Sequence, residues 1–317
     1  MLRQRVLDVT HKATQKEALK RIIAGHQLLP RDAQGLEFIL FSAQAQYRRP
    51  GGYEVKPRVV GPEKTTKAFF DPFAKENVEQ DLFVTTVFDD HFLVLNKFAV
   101  VDEHLVLATV EFEEQEAPLT RGDLRAAWKS MQDLDAFAFF NCGYESGASQ
   151  PHKHMQLISY PSMKKYCGLD MPPLLQFIDD RLKPHATTSV VQLTELPFLH
   201  YLHRIDLPAS TSFDDAAAHL QALYSTILEQ MNASVYARQP SADGTVEPLA
   251  YNLLLTQSFL FVVPRKTPAH DGIEVNSIGF IGSFYERNDE QLAFFQTHGA
   301  MEILKHVAFP PLHATSS

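Results

Sequence analysis

Residues 152–156 read His152-x-His154-x-Gln156, set among apolar Met155, Leu157 and Ile158. Polar groups at every second position fit an extended strand and not a helix, because successive side chains of a strand leave on opposite faces. On that spacing the two imidazoles and the amide share one face. The run Gly147-Ala148-Ser149 just upstream predicts a turn of small side chains leading into the strand. A neutral imidazole is a good nucleophile at phosphorus near pH 7, because its pKa lies close to ambient. The pattern therefore suits chemistry on a phosphate. A strand with two half-buried histidines would carry the same spacing, so the motif does not decide alone.

The rest of the chain predicts mixed elements. Residues 36–41, 82–88, 92–96, 105–112 and 136–141 read as strands, and 249–263 as a strand pair. Residues 14–28 carry Leu19, Ile22, Ile23 and Leu28 as an apolar helical stripe. Thr120, with Asp123 three residues on, predicts a capped helix to about Leu134 that buries Leu124, Trp128 and Met131. Further helices are predicted over 174–182, 213–231 and 289–308, with a frayed end at 314–317. Consecutive strands with few helices between them predict an α+β fold, a mostly antiparallel sheet with flanking helices. The polar segment 237–248 would serve as a linker, but the strong strand pair after it favours one continuous sheet. The expectation is a single catalytic domain over 1–317. Its N-terminal half, 47–160, holds the motif, and its C-terminal half, 249–308, completes the site.

Composition narrows the class. The 317 residues are 45% hydrophobic and 21% charged, with a net charge of −9. Such an acidic chain is a poor general binder of nucleic acid. No apolar run approaches the ~18 residues of a membrane span, and the N-terminus lacks the apolar core of a secretory signal. Cys142 and Cys167 are the only cysteines and form no C-x-x-C, so a reducing, cytoplasmic setting is expected. One stretch reverses the charge. Arg48, Arg49, Lys56, Arg58, Lys64 and Lys67 stand against Glu54 and Glu63. Such a loop can dock a small polyanion, although a solvated surface loop would look the same.

The segment 141–159, with Gly-Ala-Ser-Gln-Pro-His-Lys-His-Met-Gln at its centre, resembles the active-site segment of the histidine triad superfamily. Gln156 in the third position resembles its transferase branch. The closer similarity is to diadenosine tetraphosphate (Ap4A) phosphorylases, also called ATP adenylyltransferases. Leu95-Asn96-Lys97-Phe98 with 104–109, Tyr251-Asn252 through Thr256, 262–265 and 275–283 are similar to further segments of that family. The resemblance runs over roughly residues 47–305.

That resemblance implies phosphorolysis of Ap4A to ATP and ADP. His154 would be the nucleophile that carries AMP, with His152 and Gln156 as its catalytic partners and Gln156 on the α-phosphate. The turn of Gly147, Ala148, Ser149 and Gln150 would offer N–H groups to phosphate. Lys97 and a loop cation such as Lys56 would neutralise the polyphosphate. Asn96 would frame the nucleotide, and Asn141 and Thr256 would bind ribose or phosphate. Arg265 would reach phosphate. The implied partners are a dinucleoside polyphosphate, ATP, ADP and phosphate, taken by a monomer. No tightly bound cofactor is implied; Mg²⁺ or another divalent ion would arrive on the substrate. Three rivals share parts of the pattern. A histidine triad hydrolase would want a third histidine in place of Gln156. A hexose-1-phosphate uridylyltransferase would want zinc-binding cysteine pairs. A nucleotide- or metal-binding module would need other histidines, such as His104, His200 or His203, to join the motif.

Overall fold

A computed structural model describes residues 1–48, 70–184, 189–236 and 248–312. In chain order, helix α1 (Leu2–Gln15) precedes strands β1 (Lys20–Arg21), β2 (Ile23–Leu29), β3 (Phe38–Ala43), β4 (Phe83–Val87), β5 (His91–Leu95), β6 (Phe98–Ala99) and β7 (Leu105–Thr109). Helix α2 (Arg121–Leu134), β8 (Ala136–Cys142), β9 (His154–Ser159), α3 (Tyr160–Cys167), α4 (Pro173–Leu182), β10 (Tyr201–Arg204) and α5 (Phe213–Tyr236) follow. The chain closes with β11 (Tyr251–Leu255), β12 (Phe259–Pro264), β13 (Ala269–His270), β14 (Ile273–Glu274), β15 (Ser283–Glu286), α6 (Asp289–His298) and α7 (Ala300–Val307).

The main sheet has eight strands in the order β10-β12-β11-β8-β9-β7-β5-β4, and its neighbours run antiparallel. This is the α+β, antiparallel architecture expected from the sequence. Strands from both ends of the chain meet at β8 and β11, which places the motif strand β9 near the middle. One sheet face packs Leu107, Phe140, Met155 and Leu157 against Trp128 and Met131 of α2 and Leu220 and Ile227 of α5. The other face packs Phe139, Ile158 and Phe261 against Phe41 of β3, Ile178 of α4 and Leu304 of α7. Helix α2 forms where its cap predicts. Thr120 accepts from Asp123 N, and the Asp123 side chain returns a bond to Thr120 N.

Residues 14–28 differ from the expectation. The helix ends at Gln15, and 23–29 is a strand paired antiparallel with β3. Leu19, Ile22, Ile23 and Leu28 fit either period over so short a run, and Gly25 with the β-branched pair Ile22-Ile23 weakens a helix there. Ile23 and Leu29 are buried on that strand, whereas Leu28 is exposed. The C-terminal helix is two helices, broken at Gly299 with φ +77°. The strand expected over 105–112 stops at Thr109. Among the described residues no helix is long and apolar enough to cross a membrane. The expected frayed end at 314–317 lies outside the described residues.

Candidate active site

Strand β9 opens at His154, opposite Ala108 of β7. His154 and Gln156 point to the same face, as the period-2 spacing predicts. Continuing the pairing of β8 with β9 puts Asn141 level with His154, and Asn252 is paired with Asn141. A polar row thus crosses three strands on an otherwise apolar face. At this level β8 and β9 part, and the buried amide of Gln115 fills the gap. Its Oε1 accepts from His154 N at 2.8 Å, and its Nε2 donates to the carbonyls of Asn141 at 2.8 Å and His154 at 3.2 Å. One side chain replaces a missing rung of the ladder.

The His154 ring has a defined tautomer. Nδ1 lies 2.9 Å from the carbonyl of His152, an acceptor only, so Nδ1 carries the proton and Nε2 keeps its lone pair. Burial pushes the His154 pKa down to about 4; the bond to the His152 carbonyl opposes this, and the His152 ring adds to it. The ring is thus neutral at pH 7. Phe73 packs on it with ring centres 5.1 Å apart.

His152 lies just before the strand, in an isolated bridge with Glu114. Its Nδ1 is 2.7 Å from Asp71 Oδ2, and its Nε2 is 2.9 Å from the Thr109 carbonyl. Neither ring nitrogen is free for substrate, and the ring is 1% exposed. His152 serves His154 through its main-chain carbonyl instead.

Gln156 is oriented from the side. Its Oε1 accepts from His104 Nε2 at 2.8 Å and from Asn96 Nδ2 at 3.4 Å. The Gln156 NH₂ is thereby left for another acceptor. Burial lowers the His104 pKa to about 4, against the bond to Gln156. Behind the motif, on the α2 side, Lys153 is 1% exposed. It pairs with Asp123 at 3.2 Å and Glu113 at 2.5 Å. Asp123 also accepts from His91 Nε2 at 2.8 Å. Burial alone would raise the Asp123 carboxyl, but His91, Thr120 N and Lys153 together hold it below its usual range.

The turn after β8 lines a cavity of about 580 Å³ with Gly147, Ala148, Ser149, Asn276 and Arg287, a volume in the range of small-molecule sites. Gly147 has φ +82°, and a Cβ there would sit 2.8 Å from the Val275 carbonyl, so the turn needs glycine. Gln150 continues the same loop, half-buried.

The other expected site residues that are described have protein partners of their own. Thr256 caps the β11–β12 hairpin, accepting from Ser258 N and Phe259 N. It lies four residues along β11 from Asn252, roughly 13 Å at ~3.3 Å per residue, so it is away from His154. Arg265 is 2% exposed, and its guanidinium bonds only to protein acceptors, so it has no donor left for phosphate. Asn141 is buried, with its Oδ1 accepting from Asn252 Nδ2 and Ser277. Lys97 is half exposed and pairs with Glu79 at 2.6 Å. Of the six loop cations only Arg48 is described, and it pairs with Glu286 and Asp289; Lys56 lies outside the described residues. His200 bonds Leu193 N and the Phe198 carbonyl, and His203 the Arg204 carbonyl. Among the described residues no three His, Cys, Asp or Glu side chains are grouped to hold a metal ion. Asp71, Phe73, Thr109 and Gln115 escaped the sequence reading. Asp-Pro-Phe at 71–73 carries a turn signal, and Phe73 N donates to Asp71 Oδ1 at 2.9 Å. Its contact with His152, 81 residues away, had none.

An antiparallel sheet presenting a neutral imidazole and an oriented amide, with a small-residue turn that lines a cavity, fits the nucleotidyltransferase class. Residues 1–177 match the family model of the Ap4A phosphorylase N-terminal domain, and residues 194–310 that of the ATP adenylyltransferase C-terminal domain. Diadenosine 5',5'''-P1,P4-tetraphosphate phosphorylase 2 of Saccharomyces cerevisiae is 31% identical, over 70% of this chain and 70% of that protein. Yeast Ap4A phosphorylase Apa2 in complex with Ap4A superposes with a TM-score of 0.74 at 26% identity, over 98% of each chain. Its complex with AMP gives 0.74 at 25% identity and the same coverage. The chain belongs to the Ap4A phosphorylase and ATP adenylyltransferase family.

Proposed function

We propose that the protein cleaves Ap4A with inorganic phosphate to give ATP and ADP, through an adenylyl group carried on His154. The observation that carries this reading is the free Nε2 lone pair of a neutral, buried imidazole whose Nδ1 proton is held by the His152 carbonyl. In the first step that lone pair attacks the α-phosphorus. The bond from that phosphorus to the bridging oxygen breaks, and ATP leaves with the electron pair. In the second, a phosphate oxygen attacks the same phosphorus, the N–P bond breaks, and ADP leaves a neutral His154. Two displacements replace one harder transfer. The Nδ1–H···O=C bond steadies the ring as it gains positive charge. The Gln156 NH₂, aimed by His104, suits an oxygen of the transferring phosphoryl. The cavity beside Gly147–Ser149 suits the rest of the polyphosphate, and Lys97 would have to leave Glu79 to reach it. A divalent ion, on this reading, travels with the substrate and is no fixed part of the protein. On this reading the protein acts as a monomer.

The test incubates the protein with Ap4A, with and without phosphate, and separates the nucleotides. Equal ATP and ADP, stopping when phosphate is left out, is the expected result. Radiolabelled substrate should leave acid-labile label on the wild type and none on His154→Ala, whose turnover should fall by several orders of magnitude. AMP formed at an undiminished rate without phosphate would make the enzyme a hydrolase. Equal labelling of both proteins would remove His154 as the carrier.

A further inference from the structure

We propose that Arg265 is a positioning residue for the phosphate-binding turn, acting through Ser146, Asn252 and Val275 without touching substrate. The inference rests on the proposed role of the Gly147–Ser149 turn.

Arg265 follows β12 and spends its donors on five acceptors from separate stretches of chain. Nε donates to the Val307 carbonyl at 3.2 Å. Nη1 donates to the Ser146 carbonyl at 3.4 Å and to Asn252 Oδ1. Nη2 donates to the carbonyls of Thr267 at 2.8 Å and Val275 at 3.0 Å. A planar guanidinium with five N–H groups matches that set, and no other side chain does.

Two of these acceptors are the walls of the turn. Ser146 immediately precedes Gly147, and the Val275 carbonyl is the atom a Cβ on Gly147 would strike. Arg265 draws both inward, and glycine fits the gap between them. Asn252 extends the clamp, with Nδ2 donating to the Ser146 carbonyl at 2.9 Å and to Asn141 Oδ1 at 2.8 Å. Asn141 in turn shares Gln115 with His154. The network thus joins the turn to the nucleophile's strand. The peptide N–H groups of Ala148 and Ser149 bond to no described residue, and both residues line the cavity. Successive amides of this kind form an anion site. Burial pushes the Arg265 pKa down to about 9, against the charge of Glu145. It remains a cation at pH 7, and its charge lies beneath that site.

Full-length Arg265→Met, Arg265→Lys and Asn252→Ser are compared with the wild type in three ways. These are thermal melting, amide exchange over 143–150, and kinetics on dinucleoside tetra- and triphosphates at two salt concentrations. The expected result for Arg265→Met is faster exchange at 146–149 and a loss of about 100-fold in kcat/KM. The loss should be the same for both chain lengths. Arg265→Lys should recover little, because it keeps the charge but not the five-way geometry. Asn252→Ser combined with Arg265→Met should cost less than the sum of the two. If Arg265→Met does not fold, Arg265→Lys and Asn252→Ser carry the same comparison. A loss that grows with phosphate number and shrinks in salt, with unchanged exchange, would make Arg265 a direct contact and overturn the proposal. So would wild-type kinetics and exchange in folded variants. Should the wild type not cleave either substrate, the functional reading fails, while the exchange data still decide whether the clamp exists.

Discussion

Three buried histidines are kept neutral by burial: His104, His154 and His200, each moved from an ordinary 6.5 to about 4. Unfolded, each takes up a proton near 6.5; folded, each resists until about 4. The stability gained from their neutral forms is complete above about 6.5 and drains away as pH falls toward 4. His91 works the other way. Burial would lower its pKa, but Asp123 and Asp90 raise it, so its contribution is full below 6.5 and lost as pH rises through the folded value. The His91 contribution is already full below 6.5, so the three neutral rings set the trend and the urea midpoint should decline between pH 6.5 and 4. The acid limb of kcat/KM should lie nearer 4 than 6.5, because His154, the proposed nucleophile, stays unprotonated. Urea titrations and a pH–rate profile check both; an acid limb at 6.5 would mean that the His154 ring is solvated. At this scale the sequence told which residue types to watch but not their surroundings. Arg265 at a strand end reads as a phosphate ligand, and only the tertiary structure brings five carbonyl and amide oxygens around it.

At the scale of elements, the parting of β8 and β9 is repaired by Gln115. Gln115→Leu would leave the Asn141 carbonyl and both main-chain groups of His154 short of partners. Each buried polar group so stranded costs roughly 1–3 kcal/mol, so a loss on the order of 3 kcal/mol is expected. Activity should fall further than the fraction unfolded explains, because His154 N is one of the stranded groups. Denaturant melts with parallel assays measure the two; a loss of stability with full activity in the folded fraction would confine Gln115 to the scaffold. The elements themselves were legible where local chemistry repeats. The Thr120–Asp123 capping box announced α2, and the His152–Gln156 alternation announced β9. Residues 23–29 were not legible, because four apolar side chains fit two periods and their strand partner lies beyond the window. Gln115 stands in a polar loop sequence, Glu-Phe-Glu-Glu-Gln-Glu, that gives no hint of burial.

At the scale of the molecule, the main sheet ties both family segments into one hydrogen-bonded array, with β11 of the second lying on β8 of the first. Unfolding should be a single transition. Trp128, the only tryptophan, is 3% exposed in α2 and reports on the core, while far-UV circular dichroism reports on the whole. The two curves should coincide; separated midpoints would show that the halves melt independently. The same strand order bears on how the protein is made. A ribosome releases the motif strand β9 about a hundred residues before β11, the strand that covers the outer edge of β8. During that interval the nascent chain displays an unpaired edge carrying Phe137, Phe139 and Phe140, a surface open to pairing with other chains. A message truncated between residues 160 and 250 therefore yields a product with every residue of the histidine motif, no clamp on its turn, and an adhesive strand edge.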